Sequence, residues 1–392
     1  MEYRALTVSD LDRWRDLEVY AFATSPGSDA PSAEKLGRMR GLFVDGGAQA
    51  AQLELIPLRL ETGRGQIAAA GIGGVASAPE SRQRGHVAAL LRHSCDELRE
   101  QGVPLAVLYP FKRAFYGRYG WATFMERRVY TGSPERFASF RPAPGGFQAA
   151  GPDQAADFDV IYRGALRGRF GPTVRNADWW RESVLADGDG KPYRAYIWRD
   201  EGGNPRSYMI YRVKDAVGGR RMECQDIVAL DPTARAQLFA FFAGHADQVA
   251  HVQFKAPADA PVNLLMPEPL SCTVEPHFML RLVDVAAALA GYGFPRDLKG
   301  RLRVGVGDDW ITEHNAVFEL ELAAGRAEVR RLPSDSPADV SCDVRVLAQI
   351  YSRYLRPRTA AAFGMLAAAS REALDLAERA FAGPAPFNAD FF

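Results

Sequence analysis

The sequence predicts a mixed α/β protein of two or three domains, on three observations. The chain has 392 residues, too many for one ordinary core. Between residues 66 and 109, an apolar strand, a turn, an amphipathic helix and a second apolar strand follow in the order of a parallel βαβ crossover. A Pro/Gly/Ala-rich linker at 142–151 then separates this part from a second run of strand and helix patterns.

A first strand is expected at residues 3–7. A helix follows, opened by a capping signature of Ser9 with Asp12 and striped by Leu11, Trp14, Leu17 and Ala21. Residues 24–33 are rich in turn formers and read as a loop, the kind of segment that often lines clefts. Leu53, Leu55, Leu58 and Leu60 sit in two short alternating segments broken at Pro57, which suggests an antiparallel meander. Residues 66–77 form a strand with glycines at 71, 73 and 74; strand glycines often mark the close approach of a ligand or another backbone. After Gly85, the apolar positions Val87, Leu90, Leu91, Cys95 and Leu98 have helical spacing, and Gly102 suits the helix end. Residues 104–109 read as a buried strand.

Beyond the linker, helices are expected at 153–166, 178–185 and 235–245, with strands at 193–198, 206–213 and 223–229. A third segment begins near 277–285. It holds strands at 301–306, 316–322 and 328–331 and helices at 343–354, 360–365 and 371–381.

Lysines and arginines equal aspartates and glutamates at 48 each, so no global field favours nucleic acid or a membrane surface. No apolar run reaches the roughly 18 residues of a membrane span, and the start MEYRALTVSD lacks the apolar character of a signal peptide. Cys95, Cys224, Cys272 and Cys342 are far apart, which predicts reduced, individually buried thiols in a cytoplasmic protein. Neither they nor the six histidines have metal-ligand spacing, so no metal is expected.

The junction Arg82-Gln83-Arg84-Gly85 joins the glycine-bearing strand to the helix. The first N–H groups of a helix lack intrahelical acceptors and carry partial positive charge, so a helix start beside arginines suits the phosphates of a nucleotide-like cofactor. A solvated turn with two arginines fits the same residues.

The stretch Arg82-Gln83-Arg84-Gly85-His86-Val87 resembles the acetyl-CoA-binding motif of the GNAT acetyltransferases. Downstream, Phe115-Tyr116-Gly117-Arg118-Tyr119-Gly120-Trp121 resembles the Tyr-Gly-Arg-Phe-Gly-Tyr segment of the enhanced intracellular survival (Eis) subgroup. The length and the ending Pro386-Phe387-Asn388-Ala389-Asp390-Phe391-Phe392 fit the same subgroup. Val87 departs from the small residue common in the wider family and agrees with the Eis-like subgroup. The resemblance implies tandem GNAT-like domains followed by a sterol-carrier-like domain, with bounds expected at 1–145 (catalytic), 146–284 (degenerate copy) and 285–392.

The resemblance also implies a chemistry. Acetyl-CoA is the co-substrate. Val75, Ala76 and Ser77 offer a backbone edge to its pantetheine arm, and residues 82–88, Arg82, Gln83, Arg84, Gly85, His86, Val87 and Ala88, cradle its diphosphate. Tyr116 is the general acid for the departing thiolate. The general base is the terminal carboxylate, expected on Phe392. The acceptor is a primary amine of a small polycation, aminoglycoside-like, or of a lysine, with Asp29 and Asp390 as acidic contacts. A homo-oligomer, a hexamer by family habit, is expected, with no nucleic-acid or membrane partner. Two other readings remain at this point: an apolar-ligand carrier in which the GNAT halves are scaffold, and an acyltransferase for longer chains, as in N-myristoyltransferases.

Overall fold

Alternation over residues 48–77 draws the chain into its longest hairpin, Ala48–Glu61 against Gln66–Ser77. The computed structural model describes residues 1–23, 31–186 and 193–391. Pro57 does not break the first of these strands. Beyond Glu54 that strand pairs on one side only, so a residue without an N–H interrupts no second ladder. The leucine phase changes there because Leu53 and Leu55 bury on one face of the pleat and Leu58 and Leu60 on the other.

The contacts divide the chain into two units. One comprises 1–124, 278–382 and 391–392, and the other 125–277 and 383–390. The expected bound at 145/146 therefore falls inside the second unit, and the linker at 142–151 contains an edge strand, Gly145–Ala150.

The first unit holds two sheets. In chain ranges, the larger runs Glu2–Ala5, Met39–Val44, Ala48–Glu61, Gln66–Ser77, Leu105–Leu108, Met279–Leu282, Ala122–Thr123. Helix His86–Glu100 buries Leu90, Leu91, Cys95 and Leu98 in a core shared with Leu53, Leu55, Ile72 and Leu108. Each such leucine contributes about 1.5–3 kcal/mol of transfer free energy. Met279–Leu282 pairs with Leu105–Leu108 and Ala122–Thr123, and all four of its residues are buried. The smaller sheet runs Arg326–Leu332, Ala316–Ala323, Gly300–Gly307, Val340–Asp343, Leu366–Ala368.

The second unit is one sheet in the order Ser271–Pro276, Glu126–Gly132, His251–Pro257, Gly219–Ala229, Pro205–Ala216, Arg194–Asp200, Gly145–Ala150. Helices Ala155–Ala165 and Pro232–Ala243 each bury an aromatic face in one of its two cores.

Three local expectations are corrected. The capping box is Thr7 with Asp10, not Ser9 with Asp12. A short helical turn, Val8–Asp10, precedes helix Leu11–Phe22, and Arg4 grips Asp10 through two bonds of 2.8 and 3.0 Å. The segment expected as helix 178–185 divides into Ala177–Trp179 and a wider π turn, Trp180–Val184. Cys272 is exposed because it lies on the edge strand Ser271–Pro276; Cys95 and Cys224 are buried.

Arg281 is fully buried in the larger sheet of the first unit. Its guanidinium pairs with Asp308 and donates to the Gly120 carbonyl at 3.3 Å. Asp308 also accepts from the N–H groups of Trp310 and Ile311 at 3.0 Å, and His314 Nδ1 lies 2.8 Å from it. Burial opposes the Asp308 charge, yet the His314 contact, the Arg281 charge and the two amides together hold its pKa well below the usual carboxylate range.

Removing one partner of such a pair costs about 3–5 kcal/mol, because the other charge stays buried alone. Arg281→Met should therefore lower the urea-unfolding free energy by that amount, and the double change Arg281→Met/Asp308→Leu should recover part of it. A double mutant less stable than the single would overturn this account. Because the folded-state pKa of Asp308 is depressed, its contribution is present above the free-carboxyl value of about 4 and is lost as pH falls below it. The urea midpoint of the unaltered protein should fall with acidification over that range.

Candidate active site

Strands Gln66–Ser77 and Leu105–Leu108 run parallel and pair at Ala69–Leu105, Ala70–Ala106 and Gly71–Val107; the pairing ends there. Gly74 has φ +58°, and the register with the preceding strand slips between Gln52 and Glu54. This bulge bends the strand and re-aims its edge. Ser77 and Ala76 keep their partners Ala51 and Gln52 on that side. On the other side the strand has separated from its parallel neighbour, so Val75, Ala76 and Ser77 have an edge available to an extended ligand.

The strand gives way to a short turn, Pro79–Ser81, then to Arg82, Gln83, Arg84 and Gly85, all exposed. Gln83 and Gly85 both take left-handed conformations, φ +61° and +79°. Left-handed residues curl the chain so that successive N–H groups converge on a concavity suited to anions. A Cβ on Gly85 would meet nothing within 4 Å, so glycine is there for its conformation and not for space.

Helix His86–Glu100 starts at Gly85 with no side-chain cap and no acid in its first turn. Ala89 N–H is the first to reach back, to Gly85, which leaves the first-turn amides of His86, Val87 and Ala88 to an outside acceptor. The helices that begin at Ala33, Ala177, Pro232, Val285, Val344 and Arg371 all carry a side-chain cap. Arg82 and Arg84 have no carboxylate partner among the described residues, and the Arg82 guanidinium sits 5.4 Å over the Tyr20 ring. His86 is buried with Nδ1 unpaired. Open amides, guanidinium groups without a carboxylate partner and a free strand edge fit a diphosphate with an amide-bearing arm.

Tyr116 lies in the short helix Arg113–Gly117, 2% exposed, in the apolar cluster that includes Ile72 and Leu108 and against which Val75 and Val87 pack. The fold thus gathers Tyr116 with the ends of both separating strands. Its ring meets Phe111, Phe115 and Trp121 edge-on at 5.4, 5.1 and 6.2 Å. Burial pushes the phenol well above its ordinary pKa, so it holds its proton at neutral pH. The turn after it closes through Tyr119 and Trp121 N–H groups onto the Tyr116 carbonyl, at 2.9 and 3.4 Å. At Gly120 (φ +75°) a Cβ would come within 2.0 Å of Arg281 Nη1, so glycine is required there.

Asp390 is not a free acidic contact. It is 5% exposed, and its carboxylate accepts from Arg175 Nε and Trp179 Nε1, each at 3.1 Å; Arg175 also donates to Asp226 at 2.9 Å. Asp29 and Phe392 lie outside the described residues. The ring of Phe391, expected to bury and anchor the chain end, is exposed. Tyr109, just past Leu105–Leu108, and Phe391 meet edge to face at 5.2 Å, exposed by 45% and 69%.

Among the described residues no cluster could hold a metal ion, and no helix is long and apolar enough to cross a membrane. Models of the acetyltransferase (GNAT) domain match residues 2–124 and 171–282, and a sterol carrier protein domain matches 285–389. The chain is 29% identical over 328 residues to an uncharacterized N-acetyltransferase of Streptomyces coelicolor, covering 76% of this chain and 78% of the relative. It is 27% identical over 341 residues to the N-acetyltransferase Eis of Mycobacterium tuberculosis, covering 82% and 80%. A GCN5-related N-acetyltransferase from Anabaena variabilis superposes with a TM-score of 0.90 at 25% identity, over the whole of both chains. Eis1 of Mycobacterium abscessus shares the fold with a TM-score of 0.81 at 24% identity, also over the whole of both chains. The chain carries two GNAT acetyltransferase domains ahead of a sterol carrier protein domain and is similar to the Eis acetyltransferases; the acetyl donor of GNAT acetyltransferases is acetyl-CoA.

Proposed function

We propose that this acetyltransferase transfers acetyl directly from acetyl-CoA to a primary amine of a small polycation, aminoglycoside-like, or of a lysine. The observation that carries the reading is the uncapped helix start beside two separated strands, with Tyr116 in the cluster between their ends. Residues 82–88 bind the diphosphate through main-chain amides, with Arg82 and Arg84 adding charge-assisted bonds. The edge at Val75, Ala76 and Ser77 pairs with the pantetheine arm, which fixes where the thioester lies. As the amine nitrogen bonds to the acetyl carbon and the C–S bond breaks, Tyr116 gives its proton to the sulfur, and the proton shed by the amine goes to the general base. Its raised pKa favours the protonated form before transfer, so loss of this acid sets no alkaline limit near neutral pH.

The acceptor class is tested by following thiol release with a panel of polyamines, aminoglycosides and lysine peptides; no turnover on any of them would defeat it. Tyr116→Phe should lower kcat by about 10²-fold or more while the Kd for coenzyme A stays within about twofold, since only a proton donor is lost. Unchanged turnover removes Tyr116 from the chemistry. Gly85→Asp would set a carboxylate at the phosphate site and should weaken coenzyme A binding at least tenfold by calorimetry, with thermal unfolding as the control for folding.

A further inference from the structure

The second unit repeats the strand, helix, strand arrangement of the first. Gly219–Ala229 and His251–Pro257 run parallel and pair at Arg221–His251, Met222–Val252 and Glu223–Gln253, and there the pairing ends. The register with the preceding strand slips at Ile210/Tyr211, just beyond that point, as it does near Gly74 in the first unit. Helix Pro232–Ala243 follows the first of the two strands.

The connection differs. Between Ser77 and His86 the first unit has room for a phosphate turn, but only Leu230 and Asp231 separate Ala229 from Pro232. Asp231 caps the helix, accepting from Ala234 N–H at 2.8 Å, and pairs with Arg206 at 2.6 Å. A carboxylate already occupies the place a phosphate would take. The separation between the strands nevertheless persists as a cavity of about 320 Å³.

Its wall is mostly apolar, with Leu238, Phe239, Phe254, Val262, Leu265 and Phe387. Arg169, Arg235 and Lys255 also line it, against one carboxylate, Asp259. Asp259 is taken by Arg169 at 2.8 Å and by Ala385 N–H at 3.0 Å. Arg235, at helical spacing from Leu238 and Phe239, has no ion-pair partner among the described residues. Burial, reinforced by the Arg127 charge, pushes the Lys255 pKa down, so an anion brought near it relieves a cost. An apolar cavity of about 150 Å³ holds one benzene, so this volume holds roughly twelve carbon atoms.

We infer that this cleft in the second unit binds a medium-chain carboxylate, of roughly eight to twelve carbons, its tail in the cavity and its head group at Arg235. Charge complementarity selects the head and volume the tail. The site is independent of acetyl transfer.

Decanoate titrated by calorimetry into delipidated full-length protein tests this. Saturable uptake of one decanoate per chain is expected, weakened at least fivefold by Arg235→Gln and at least tenfold by Ala256→Leu, which narrows the cavity. Leu265→Asp, a change at a half-exposed rim position that spares the core, should weaken binding as well, so a folding defect at Ala256 does not leave the site unexamined. Decanol should bind at least fivefold less tightly than decanoate. No saturable uptake overturns the inference. So does uptake that none of the three variants alters, which would put the ligand elsewhere, or equal binding of decanol.

Discussion

The first unit depends on a parallel strand pair that stops early. After Gly71–Val107 the first strand runs on to Ser77 without this partner, while the second ends at Leu108. Backbone N–H and C=O groups left without partners in a poorly hydrated cleft are costly, so an opening of this kind persists only where the surrounding structure holds it and a ligand completes the ladder. The bulge at Gly74 turns one strand aside, and the packed cluster of Ile72, Leu108 and Tyr116 props the gap from within. Everything proposed about donor binding follows from that gap and from the open helix start beyond it.

A second constraint fixes Tyr116, the proposed acid. Tyr116 sits on a helix of one turn, which has little stability of its own. The turn that follows is tied down at Gly120 by Arg281, whose charge is in turn balanced by Asp308. Arg281 comes from a strand some 160 residues later in the chain, and Asp308 from the loop after Gly300–Gly307 in the sterol-carrier-like sheet. The C-terminal part of the first unit is therefore structural support for the turn that follows Tyr116. The near-contact between Arg281 and a hypothetical Cβ at Gly120 explains why that aromatic motif needs its second glycine.

Much of this was legible in the sequence. Helical spacing after Gly85 and the glycine run before it made the strand, turn and helix start legible, because both are local patterns governed by periodicity and backbone conformation. The capping box was misplaced by two residues, since Thr7 and Ser9 are equally good caps and only Arg4 distinguishes their partners. Asp390 looked like a free acid because nothing local reveals Arg175, 215 residues away, as its partner. The fate of Met279–Leu282 was hidden for the same reason: four buried residues announce a central strand but not the sheet it enters. Long-range pairing is what sequence pattern carries least.

The two units set different helix starts on one framework. Both open a parallel pair after three registered positions and follow the first strand with a helix. In one, a left-handed Gly85 leaves the helix amides bare; in the other, Asp231 covers them and adds negative charge. A dianionic or more highly charged donor is favoured at the first helix start by the same dipole that the second has already satisfied internally. What the second cleft retains is the gap itself, now lined by aromatic and aliphatic side chains, with Arg235 beside them. Removing the phosphate turn does not close the sheet, because the cores on both faces of the second unit still pack against strands that have parted. Duplication thus preserves a cavity for reasons of packing, and the residues at its rim decide what can enter.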